Sequence, residues 1–224
     1  MNRYFLFLVT TCASLLMACG NSGPQTSSDW ETELRVLEAP ATGDAYQLPD
    51  FSFVDQDSNI VTQESIKGKV VVSDFFFTSC PSICPVMTKQ MYRLYEQFKD
   101  DDRVVFLSHT INPKYDSVPV LKAYANKLGE IDSKHWHFLH GELEDVEKMA
   151  VAYFEISPVP DPEVPGNILH DGSFHLIDQQ GRLRLRPRTL KLADGSQYME
   201  KSYKGNDPSS VDKLAEDIRL LLKN

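Results

Sequence analysis

Residues 70–77, Val70-Val71-Val72-Ser73-Asp74-Phe75-Phe76-Phe77, are apolar at all but two positions, so a strand made from them has no face to offer water. Such a strand belongs inside a sheet covered on both sides. A small polar step, Thr78-Ser79, follows. Cys80-Pro81-Ser82-Ile83-Cys84-Pro85 then opens a stretch in which Ile83, Met87, Met91, Leu94, Tyr95 and Phe98 recur at helical spacing to about Lys99. Prolines at 81 and 85 fit a helix only in its first turn, where N–H groups are spare. The pattern predicts a buried strand delivering two thiols to a helix N-terminus, with Cys80 at the cap and Cys84 in the first turn. Free N–H groups and the macrodipole there favour thiolate over thiol.

The rest of the chain alternates strand and helix. Residues 48–55 alternate apolar and polar and turn at Asp57-Ser58-Asn59 into Ile60-Val61-Thr62, a hairpin by pattern and turn chemistry. Further strands are predicted over 104–108 and Trp136–Leu139, and helices over Val118–Leu128 and Leu143–Phe154. Residues 157–169 hold Pro158, Pro160, Pro162 and Pro165, which forbid regular structure and leave a stiffened loop of a kind that is usually functional. That loop ends at His170. Residues 174–177 and 183–185 read as a hairpin across Gln179-Gln180-Gly181, 189–199 as an irregular insertion, and 208–222 as an amphipathic helix. The alternation argues α/β, with a central, partly parallel sheet flanked by helices.

The N-terminus carries export signals. Arg3 gives a short positive start, and residues 4–18 are mostly apolar but shorter than the roughly 20 residues of a membrane span. The run closes Leu15-Leu16-Met17-Ala18-Cys19-Gly20, like a bacterial lipoprotein signal in which the cysteine is lipidated and becomes the mature N-terminus. Residues 1–18 are therefore read as a signal peptide and Cys19 as a lipid anchor, holding an exported protein at a bacterial membrane, facing the periplasm. Residues 19–47 read as a flexible tether, weakly periodic over 29–38 as in a short helix, and 48–224 as one domain. With 23 Lys and Arg against 32 Asp and Glu and no basic block, the charge pattern argues against nucleic acid as a partner.

Cys12 leaves with the leader and Cys19 serves the anchor, so Cys80 and Cys84 alone remain for chemistry. One close pair in an exported protein is not a disulfide scaffold, which needs several bridges. It is a redox pair or part of a metal site. Cysteines at i and i+4 of a helix share a face, so both sulfurs can close a disulfide or grip one soft cation, and thiolates select Cu(I) or zinc. Two ligands seldom hold a metal. In a thioredoxin-like arrangement the loop before the last hairpin lies against the active-site helix, which nominates His170 as the third; the competing reading is a surface histidine on a flexible loop.

The run Phe77-Thr78-Ser79-Cys80-Pro81-Ser82-Ile83-Cys84-Pro85-Val86-Met87, with His170 and the Leu176-Ile177-Asp178…Gly181 hairpin, resembles the SCO/SenC family from about Pro49 to Leu222. The resemblance implies a thioredoxin-like fold with an N-terminal β-hairpin and a loop inserted before the distal histidine. It implies copper held by Cys80, Cys84 and His170, as Cu(I) first and Cu(II) as the alternative. It also implies a role in assembling the copper centre of cytochrome c oxidase, with the oxidase's copper-binding subunit as partner. A metallochaperone would donate copper; a thiol reductant would act on that subunit's cysteines. The other reading is a membrane-tethered thiol–disulfide oxidoreductase using the same pair, joined as a Cys80–Cys84 disulfide when oxidised, and no metal. A peroxidase would need a cationic pocket at Cys80, and no arginine follows the motif before Arg93. Two positions depart from the family pattern. Ser82 stands where Asp is frequent, and Leu169 precedes the histidine where Asp is common, with Asp171 after it.

Asp74 lies six residues before Cys80, where thioredoxins also carry an acid. Burial would raise its pKa and let it exchange a proton with the second thiol; alternatively it is a carboxylate satisfied by hydrogen bonds or water. On a strand His135 and His137 share one face and His140 takes the other, which predicts surface histidines at a strand end and not a metal cluster. His109 ends the strand over 104–108 and is a candidate near the thiols, while His175 is expected to face away from His170. Met87 and Met91 follow the helix's apolar face and read as core rather than a copper relay.

Overall fold

A computed structural model of the chain describes residues 33–39, 42–154, 172–191, 195–200 and 202–223. β1 (Arg35–Val36) precedes a hairpin of β2 (Ser52–Val54) and β3 (Ile60–Thr62), and then come β4 (Val70–Phe76) and α1 (Cys84–Phe98). β5 (Val104–Thr110), α2 (Val118–Leu128), β6 (Trp136–Leu139) and α3 (Leu143–Phe154) follow. β7 (Ser173–Ile177), β8 (Leu183–Leu185), β9 (Arg188–Lys191), β10 (Gln197–Glu200), β11 (Tyr203–Lys204) and α4 (Pro208–Leu221) complete the order.

The main sheet runs β1-β8-β7-β4-β5-β6, with β11 on β7. β4 is central and buried at every residue, as its composition demands. It is parallel to β5 from Val70–Val104 to Phe76–Thr110, and antiparallel to β7 through Val71–Ile177, Val72–Leu176 and Ser73–His175. The sheet is therefore mixed. Parallel neighbours need a crossover, and α1 and α2 supply it for β4–β5 and β5–β6. Both helices pack on one face. Tyr95 of α1 meets Phe106 and Trp136, and Tyr124 of α2 meets Phe76 and Phe138. Phe76, Phe106 and Phe138 are withdrawn from water, each worth about 1.5–3 kcal/mol. Alternation along β5 turns His109 to the other face, where Phe53 of the hairpin meets it edge-on at 5.2 Å.

Several boundaries differ from the sequence expectation. Within the stretch read as tether, Arg35–Val36 is an edge strand on β8 and not a helical piece. Arg184 holds it there, donating to the carbonyls of Arg35 and Leu34 at 3.2 and 2.9 Å. Glu38 bridges Ala45 and Gln47 bridges Arg182, so described residues on both sides of 40–41 are paired as well. β5 extends to Thr110 because its ladder with β4 continues through His109. Residues 189–199, expected to be irregular, contain most of the antiparallel β9–β10 pair.

α1 begins at Cys84, not at the cysteine four residues earlier. A helix through Pro81 would need residue 85 to donate to its carbonyl, and Pro85 has no N–H and a ring that clashes there. At the second helical position Pro85 needs no N–H, and Ile83 becomes the N-cap. Residues 1–32, with Cys12 and Cys19, and 155–171, with His170 and Asp171, lie outside the described residues. Among the described residues no helix is long and apolar enough to cross a membrane.

Candidate metal and thiol site

The cysteine loop leaves the sheet at the end of β4. Thr78 is fastened there by Asp116, from the loop between β5 and α2: its N–H donates to Oδ2 at 3.0 Å and its hydroxyl to Oδ1 at 2.5 Å. The Thr110 hydroxyl donates to the same carboxylate at 2.6 Å. Beside it Ile111 N–H donates to the Phe76 carbonyl at 2.9 Å, so the ends of β4 and β5 are tied together. Cys80 N–H then donates to the Phe77 carbonyl at 3.2 Å, closing a tight turn.

Cys80 and Cys84 are not joined as a disulfide, and they are not equivalent. Cys84, the first residue of α1, is 1% exposed, whereas Cys80 on the loop is 8% exposed. Burial pushes the Cys80 thiol up, but donation from the Cys84 thiol, the N–H groups of Ser82 and Cys84 and the Ser82 hydroxyl outweighs it. Cys80 therefore falls below the ordinary thiol value. The Ser82 oxygen stands 3.8 Å from the Cys80 sulfur. Burial raises Cys84 far above that value, and the hydrogen bond to Cys80 adds to it, with repulsion from Cys80 and Asp74. The expectation that the helix N-terminus favours both thiolates therefore fails at Cys84. Its place on the helix does not offset desolvation and neighbouring negative charge.

Asp74 is buried in β4 and accepts from the Ser108 hydroxyl at 2.6 Å; Ser108 in turn accepts from Trp136 Nε1 at 3.0 Å. Burial pushes its carboxyl up to about 7, against the smaller opposing effect of that hydrogen bond. It is thus both hydrogen-bonded and electrostatically coupled to Cys84.

Gly172 sits where β7 meets the start of α1. Its φ is +72°, and a Cβ there would stand 2.6 Å from Ile83 Cδ1 and 3.5 Å from Met87 Sδ. Only glycine permits both that backbone and that approach. Among the described residues no three His, Cys, Asp or Glu side chains gather as a metal group.

His135, His137 and His140 have structural partners. His135 is buried, against the surface expectation, with Nδ1 3.4 Å from the Val104 carbonyl and Nε2 3.5 Å from Asp102. His137 Nδ1 is 3.0 Å from Asp55 Oδ2, and His140 Nδ1 donates to the Asp116 carbonyl at 3.0 Å. Three different segments claim them, so they form no cluster. His109 stacks on Phe75, on the face opposite Asp74 and not at a strand end. Burial alone pushes its ring down to about 3. His175 is buried within β7, and Met87 and Met91 are core. Arg93 is engaged with Asp212 and the Pro208 carbonyl. Asp116 and Gly172 escaped the sequence reading. The available signal for Asp116 was a lone acid in a short loop at the same sheet end as the cysteines.

Known proteins share this fold. The SCO1/SenC family model matches residues 39–201. The SCO1 protein homolog of Bacillus subtilis is 29% identical over 176 residues, covering 78% of this chain and 82% of that protein. A SCO1/SenC family lipoprotein from Bacillus anthracis superposes with a TM-score of 0.63 at 31% identity, covering 79% of this chain and 95% of that one. BsSco, a member of the Sco family of cytochrome c oxidase assembly proteins in which a disulfide switch is described, gives 0.61 at 29% identity, covering 78% and 92%. The fold is the thioredoxin-like one of these Sco structures. The family match spans most of the folded residues and well over half the sequence, and the chain belongs to the SCO1/SenC family.

Proposed function

We propose that this protein is a copper metallochaperone for the copper centre of cytochrome c oxidase, holding copper on Cys80, Cys84 and His170. The observation that carries this reading is Gly172 packed on Ile83, the residue before Cys84. Chain connectivity keeps residue 170 within about 7 Å of Gly172, and this supports His170 as the third ligand. Two thiolates and an imidazole form a soft donor set suited to Cu(I). Cargo passes by ligand exchange with the oxidase's copper-binding subunit, and the more accessible Cys80 exchanges first. In this reading residues 1–18 are removed and Cys19 carries the lipid. The stretch from there to residue 33 links the domain to the periplasmic face of the membrane, near a membrane-bound oxidase.

Copper titration of the reduced protein tests this. Wild type takes up one copper per chain, and His170→Ala weakens binding by more than the roughly 10–100-fold that outer-shell partners cost. Absence of stoichiometric copper in the wild type would overturn the reading.

A second reading, the tethered thiol–disulfide oxidoreductase, is favoured by the unequal thiols and by Asp74. The Cys80 thiolate attacks a partner disulfide, forming a mixed disulfide and releasing one partner thiolate. Cys84 then gives its proton to the Asp74 carboxylate and attacks the Cys80 sulfur, releasing the second thiolate. The partner gains two electrons and this chain is left as the Cys80–Cys84 disulfide. Asp74→Asn should slow exchange and leave copper binding near normal; equal exchange rates would remove Asp74 from the mechanism. His170→Ala separates the readings, because it leaves exchange largely intact.

A further inference from the structure

We infer that Asp116 is a positioning residue for the chemistry of Cys80 and Cys84. Its carboxylate fixes where, and at what angle, the cysteine loop leaves the sheet. The inference rests on the use of those two cysteines proposed above. Thr78 gives two donors to the two oxygens of one carboxylate, at 3.0 and 2.5 Å, so orientation is set as well as distance. Cys80 is two residues on, within about 7 Å of that anchor. Beyond it Pro81, Ser82 and Pro85 are exposed, while Cys80 and Cys84 are buried and Ile83 packs on Gly172.

Asp116 is itself held from several sides. It is 1% exposed. The Thr110 hydroxyl at the end of β5 donates to its side chain at 2.6 Å, and its N–H donates to the Asn112 carbonyl at 3.0 Å. Its own carbonyl accepts from His140, at the end of β6, at 3.0 Å, and the His140 carbonyl accepts from Val54 N–H in the hairpin at 2.9 Å. One buried residue, by its carboxylate and its backbone carbonyl, thus references the cysteine loop to the ends of three strands. That arrangement predicts a tight, reproducible sulfur position on the cysteine loop.

The test compares Asp116→Asn, Thr78→Val and Thr78→Ser as full chains. An amide offers one acceptor oxygen where the carboxylate offers two, so the Thr78 hydroxyl loses its charged acceptor and must turn to accept from the NH₂. Valine removes the hydroxyl and serine restores it. Tyr203→Phe serves as a control, since it removes a hydrogen bond of 2.7 Å to Asp217 away from the cysteine loop. Asp116→Asn and Thr78→Val should weaken Cu(I) binding roughly 10–100-fold and shift the Cu(II)–thiolate charge-transfer band. Thr78→Ser should stay close to wild type, and Tyr203→Phe should lose stability without either change. Unaltered affinity and spectrum in Asp116→Asn would overturn the inference, as would an equal loss in Tyr203→Phe. If wild type binds no copper, the copper reading fails, and the disulfide equilibrium with glutathione becomes the readout. A roughly tenfold shift in Asp116→Asn then supports positioning, and no shift overturns it.

Discussion

Asp74→Asn should make the reduced protein more stable, by an amount that grows with pH. The carboxyl has an ordinary value of 3.8 and burial raises it to about 7. A raised carboxyl keeps its proton in the folded state longer than in the unfolded one. Its contribution is fully present below 3.8 and is lost as pH climbs towards 7, where the unfolded chain ionises freely and the folded chain must desolvate a charge. The difference amounts to about 4 kcal/mol at the alkaline limit, and grows by about 2.5 kcal/mol between pH 5 and pH 8. Asparagine keeps the acceptor oxygen for Ser108 but brings an NH₂ that costs about 1–3 kcal/mol if it finds no partner. That cost does not vary with pH, so the slope is the diagnostic quantity. Urea unfolding of both reduced proteins at half-unit steps from pH 5 to 8 measures it. Curves that stay parallel across the range would refute the account of Asp74 as a desolvated carboxyl.

His109 acts in the opposite sense: its folded value of about 3 lies below the ordinary 6.5, so stability falls as pH drops below 6.5. The loss is about 2.7 kcal/mol by pH 4.5, and acid unfolding of His109→Phe, which removes the titrating ring from between Phe75 and Phe53, should show a correspondingly shallower decline. Gly172→Ala forces a left-handed backbone on alanine and drives its Cβ into Ile83. It should cost about 1–3 kcal/mol by chemical denaturation and weaken copper binding, while wild-type affinity in that variant would detach β7's start from the site. Cys19→Ser should release the protein from the membrane fraction without altering the melting of the folded domain, and retention in that fraction would remove the lipid anchor.

Much of the fold was legible because its central elements are dictated locally. α2, β6 and α3 fall at the expected residues, since each is an apolar period bounded by strong turn residues. Elements held from a distance were not legible. β1 is a strand because it pairs with β8, where Arg184 reaches the carbonyls of Arg35 and of Leu34 just before it, which no local period reveals. β9 and β10, Arg-Thr-Leu-Lys and Gln-Tyr-Met-Glu, are too polar to announce a sheet, although Asp194-Gly195 between them was a hairpin signal. The cysteine pair was plain from its motif, but its inequality was not, because burial and the Asp74 charge come from β4 and not from the helix. The histidines after Lys134 looked superficial only because Asp55, Asp102 and the Asp116 carbonyl are remote in sequence.

The antiparallel register of β7 on β4 has a consequence for how the site is measured out. Each step forward along β4 is a step back along β7, and the pairing ends at Ser73 with His175. Phe76 and Gly172 each lie three residues beyond that last rung, so the cysteine loop and the segment entering β7 leave the ladder by equal lengths of chain. The ladder is a ruler made of backbone hydrogen bonds, graduated in steps of about 3.4 Å, and its last rung is the common mark. The proline-rich stretch before it can lengthen or shorten without moving that mark, whereas a slip of one rung displaces it and inverts every side chain that follows.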